Sequence, residues 1–120
     1  KRSYTAIYRI AAGFAVNFGP LDGQILQTGA DADRTNWLVS ARMYEKQVAA
    51  GNGAVAGANF RTLSNETIAL TFADGVAVLD AMALWGTAIM NHSWALKDEI
   101  AAAASVAELL YIDIDAGWPE

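Results

Sequence analysis

A chain of 120 residues is long enough for one domain with its own core, and because much of its 54% apolar content is alanine, that core rests on a few large side chains. The absence of cysteine excludes disulfides, thiolate metal sites and a cysteine nucleophile. The net charge of −5 is unevenly placed, with Lys97 the only lysine or arginine after residue 73 against Asp74, Asp80, Asp98, Glu99, Glu108, Asp113, Asp115 and Glu120, a balance that argues against a nucleic-acid partner.

The large residues expected in the core are Trp37, Tyr44, Phe60, Phe72, Met82, Trp85, Ile89, Trp94 and Leu96. The longest apolar run, Gly75 to Met90, is cut by Asp80 and falls short of the ~20 residues of a membrane span, so no membrane insertion is expected. Lys1-Arg2-Ser3 leads into alternation rather than a continuous apolar segment, unlike a secretory signal. The chain begins without methionine and reads as a fragment, or as a chain whose N-terminus has been removed.

In chain order, Tyr4 to Ala11 alternates in the manner of a strand, with Tyr4, Ala6, Tyr8 and Ile10 on one face. Phe14 to Phe18 resumes the alternation, and Gly19-Pro20-Leu21-Asp22-Gly23 is a turn signal, so Gln24 to Thr28 returns as a hairpin partner. Asp31 and Asp33 supply a helix start, and Trp37, Ala41, Tyr44 and Val48 recur at helical spacing, which predicts a helix over 32–50. Gly51-Asn52-Gly53 ends it, and residues 51–59 read as a loop. Phe60 to Leu63 and Glu66 to Phe72 are expected as two strands about a turn at Ser64-Asn65, with Asp74-Gly75 closing the second. Val78, Met82, Trp85, Ile89, His92 and Leu96 then follow at alternating spacings of four and three, predicting a long helix over 76–103. That seam fits either the core of one chain or an intermolecular bundle. Ser105-Val106-Ala107-Glu108 has the form of a capping box, which opens a short helix over 106–111 before an irregular tail.

No cluster in this pattern announces a chemistry. His92 is the only histidine, and its helical neighbours Ala88, Ile89, Ala95 and Leu96 offer no oxygen to orient it as a base or ligand. It reads as a packing histidine or as a polar position within an oligomeric seam. The aspartate pairs Asp31/Asp33 and Asp113/Asp115 lack the spacing of a calcium loop and read as a helix cap and a solvated tail. No serine lies in a nucleophile elbow, and no glycine run forms a phosphate cradle. The expectation is a protein that is not an enzyme and holds no cofactor or metal. Trp118, beyond the last helix, either folds back on the core edge or anchors a partner. The candidate interaction residues are therefore Trp118, His92, Ile89 and Trp85.

The segment Asn65-Glu66-Thr67-Ile68-Ala69-Leu70-Thr71-Phe72-Ala73-Asp74-Gly75-Val76-Ala77-Val78-Leu79-Asp80-Ala81 resembles the core motif of the domain-of-unknown-function family 4376, and Asp31 to Leu38 and Trp94 to Ile100 resemble its first-helix entry and its charged helical ending. The resemblance spans about residues 18–104; Phe72 departs from the polar or basic residue often met before Ala-Asp-Gly. It implies a setting among tail and tail-fibre genes of bacteriophages and prophages, and no catalytic residues to carry over. On that implication the chain is a structural component of the virion tail, made in the host cytoplasm, whose partners are other tail or fibre subunits or further copies of itself. The alternative is a fibre-assembly chaperone that grips the fibre tip through exposed aromatics such as Trp118.

The expected fold is α+β: a small antiparallel sheet of hairpins packed against two main helices, with a short C-terminal helix. Residues 1–28 form an N-terminal β-hairpin region, and 29–120 form the helix, hairpin and long-helix core of one compact domain.

Overall fold

The computed structural model describes residues 5–113 and 115–119, with side chains from Arg9 onward. The order is α1 (Thr5–Ala12), β1 (Phe14–Ala15), a 3-10 turn (Gly19–Leu21), β2 (Ile25–Leu26), α2 (Asp31–Ala49), β3 (Ala58–Arg61), β4 (Thr67–Leu70), α3 (Phe72–Ala102) and α4 (Val106–Tyr111). The α+β class holds, with α4 on its expected residues and α2 and α3 displaced by a few.

Residues 5–12 correct the expectation of an N-terminal strand. They are helical, so the segment before residue 28 is a helix followed by a hairpin. The alternation of tyrosine, threonine and isoleucine carries β-propensity, but a strand needs a partner to satisfy its backbone, and a helix does so within itself. The partner of β1 is β2, with Phe14 opposite Leu26 and Ala15 opposite Ile25. Thr28 Oγ1 donates to the Ile10 carbonyl, which ties the end of α1 to the segment after β2.

The single sheet expected from the sequence is two hairpins. β3 pairs antiparallel with β4, from Ala58 opposite Leu70 to Arg61 opposite Thr67, and the two hairpins touch through one bridge between Leu26 and Thr62. Leu63 N–H donates to the Ile25 carbonyl at 2.8 Å beside it. The Gly19–Leu21 turn also differs from a solvent loop, because Leu21 is wholly buried in the core.

The core lies between the hairpins and the two long helices. Phe60, fully buried, stacks on Trp37 with centroids 5.4 Å apart and meets Tyr44 at 6.1 Å. Tyr44 reaches Phe72 at 5.7 Å, and Phe14 packs against Trp85 at 5.2 Å. Trp94 and Leu96 do not join this core as expected: Trp94 is 55% exposed and Leu96 is half-buried. No described residue beyond Ile89 is fully buried.

The Ala73-Asp74-Gly75 motif belongs to the first turn of α3 rather than to the end of a strand. Thr71 caps that turn, its hydroxyl accepting from Asp74 N–H at 3.1 Å. The loop after α2 completes the capping, because the carbonyls of Val55 and Gly53 accept from the Phe72 and Ala73 amides at 3.0 Å each. Gly75 is required by close approach. A Cβ there would stand 2.8 Å from Ala58 Cβ and 3.1 Å from Tyr44 Cδ2.

At 1.5 Å per residue the 31 residues of α3 span about 46 Å, so its C-terminal half runs past the hairpins and accounts for much of the 58 Å long axis. By length and composition alone α3 could cross a membrane, a property it shares with core helices, and Val78, Leu79, Met82 and Ile89 of its apolar face are buried within the chain.

Candidate functional site

The four interaction residues expected from the sequence divide between the core and the surface. Ile89 is fully buried by its own chain, so the middle of the α3 seam is internal to this fold. Trp85 is half-buried, with one side against Phe14. His92 and Trp118 come together, although 26 positions apart in a chain that turns back after α4.

His92 Nε2 lies 2.7 Å from the Ala116 carbonyl and therefore donates to it, since a carbonyl oxygen only accepts. Its ring meets the Trp118 ring edge-on, centroids 4.5 Å apart and planes at 82°. Arg9, from the end of α1, places its guanidinium 5.5 Å from the Trp118 ring and donates to the Pro119 carbonyl at 3.5 Å. The tail thus folds back across α3 and α1. Of the two sequence readings of Trp118, this geometry is the folded-back one.

The aspartates behave as caps and turns. Asp33 accepts from Ala30 N–H at 3.2 Å at the start of α2, Asp31 pairs with Arg34, and Asp113 accepts from Asp115 N–H at 3.0 Å. Among the described residues no group of three or more histidine, aspartate or glutamate side chains stands close enough to hold a metal.

Two surfaces escaped the sequence reading. The first is an open groove of about 810 Å³ between α1, α2 and α3. Ala41, Ala83 and Gly86 line it with small side chains, and Leu38, Trp85, Met90 and Trp94 with large ones. Leu38 is 72% exposed, yet it sits one residue from Trp37 in the stripe that predicted α2, where it could be read as core. The second is α4, on which Val106, Leu109 and Leu110 fall at i, i+3 and i+4 and remain exposed, Leu110 at 80%, with Tyr111 at 88%. The sequence signal for it was present: an apolar face on a helix too short to bury much by itself.

A protein-family model described as a domain of unknown function, DUF4376, matches residues 5–116. No match was found among curated proteins or among solved structures.

Proposed function

The chain belongs to the DUF4376 family, and from that premise we propose that it is a non-enzymatic structural protein of a bacteriophage tail, a tail or tail-fibre component of the virion. The observation that supports this reading is the overhanging arm. The C-terminal half of α3 and α4 expose Trp94, Ile100, Leu109, Leu110 and Tyr111 on an extension beyond the core. Large apolar side chains left exposed in this number are characteristic of assembly contacts. The single histidine adds to the non-enzymatic reading, because its ring is engaged by a backbone carbonyl and an indole rather than by a nucleophile.

The alternative, a fibre-assembly chaperone, draws on the same exposed surface. It would have to grip through α4 rather than Trp118, whose ring lies against His92 and Arg9. Quantitative mass spectrometry of purified particles from a phage that carries the gene separates the two. A fixed copy number per particle is expected. Presence in the infected cell with absence from the particle would overturn the virion assignment and leave the chaperone.

A further inference from the structure

The α2–α3 groove and the apolar face of α4 are both on this chain, and the chain leaves both uncovered. We propose that they are two halves of one interface: in a dimer, α4 of each copy seats in the groove of the other.

Shape supports the fit. Gly86 has open space where a Cβ would stand, and with Ala41 and Ala83 nearby it lets an incoming helix backbone come close, while Leu38, Met90 and Trp94 provide larger contact surfaces. Val106, Leu109 and Leu110 form the single ridge that such a groove accepts. An isolated helix of six residues is not stable in water, so α4 has the most to gain from packing. It is also held ready, because α3 fixes the chain before it and the His92–Ala116 hydrogen bond fixes the tail after it.

Charge supports the choice of a second copy. Arg34, Leu38, Arg42 and Lys46 follow at i+4 along α2, with Glu45 the only carboxylate between residues 34 and 49, and both Arg34 and Leu38 line the groove. Arg34 is occupied by Asp31 and by the Thr28 and Gly29 carbonyls, whereas Arg42 and Lys46 are exposed. The arm that would approach carries Glu108, Asp113 and Asp115. A basic ridge beside the groove and an acidic arm around the helix steer one copy toward the other. Since every copy has both halves, reciprocal exchange closes as a two-fold dimer and leaves neither half unused.

This proposal stands independently of the tail assignment. The absence of cysteine makes its test direct, since any thiol is then an introduced one. Sedimentation equilibrium of the full chain should show a dimer that dissociates as salt rises, and Leu110→Asp should be a monomer with an unchanged helical circular-dichroism spectrum. Mixing Leu38→Cys chains with Leu110→Cys chains should give a disulfide between the two. Leu84→Cys, exposed on α3 outside the groove, should not pair with Leu110→Cys. A monomer at every concentration, a Leu110→Asp dimer, or equal cross-linking from Leu84→Cys would overturn the proposal. So would an intramolecular disulfide in a monomeric Leu38→Cys/Leu110→Cys double variant, which would place α4 in its own groove.

Discussion

Trp118 meets the ring of His92 edge-on while that ring donates to the Ala116 carbonyl, two residues before the tryptophan. Gly117 makes the double contact sterically feasible. Its φ of +83° is unfavourable for other residues, and a Cβ would lie 2.8 Å from His92 Cε1. His92→Ala, Trp118→Ala and Gly117→Ala should each speed amide hydrogen exchange over residues 115–118. The first two should show a coupling of about 0.5–1.5 kcal/mol in a double-mutant cycle. Exchange rates unchanged by all three would mean that the tail is held by something else.

The two glycines of α3 should respond in opposite directions to alanine. Alanine favours a helix over glycine by about 0.5–1 kcal/mol, so Gly86→Ala, whose methyl meets nothing of its own chain, should raise the urea midpoint of the Leu110→Asp monomer accordingly. At Gly75 the new methyl would overlap Ala58 Cβ, which cannot swing aside, and overpacking of about 1–3 kcal/mol outweighs the helix gain. A Gly75→Ala protein as stable as the parent would show that α3 and β3 can separate at no cost.

The two capping hydroxyls test how the core relates to the arm. Thr71 and Ser105 make the same bond, to the amides of Asp74 and Glu108 at 3.1 and 3.2 Å. Thr71→Ala should lower global stability by about 1 kcal/mol, because α3 is common to every part of the core. Ser105→Ala should leave the global unfolding midpoint where it was and reduce protection in α4 alone. An equal loss of midpoint from both changes would mean that α4 unfolds as one unit with the core.

How far the fold was legible follows from where each element finds its partners. α2, α3 and α4 were readable because their apolar periodicity and caps are local properties of the sequence, and Ser105-Val106-Ala107-Glu108 marked the start of α4 directly. α1 was not, because the strand-like alternation of its residues could be rejected only by knowing that both two-stranded sheets close without it. Trp94 was expected in the core for its size, yet it lies five positions after Ile89, about 140° around the helix from that buried residue and off the Val78–Leu96 seam, so its exposure agrees with the periodicity. At the candidate site, His92 and Trp118 were each noticed separately. Their meeting depends on the reversal after α4 and on Arg9, whose helix was misread as a strand.

The uninterrupted course of α3 has a mechanical consequence. Residues 72–102 contain no proline, and the chain first leaves helical geometry at Ala103, where ψ turns to 124°. The bend into the arm therefore lies at the tip of α3, in residues 103–105, and the helix behind it is a stiff rod rooted among Val78, Leu79 and Met82. A load that reaches the tip of α3 would pass along one ladder of hydrogen bonds into the packed interior, with no joint inside the helix to absorb it.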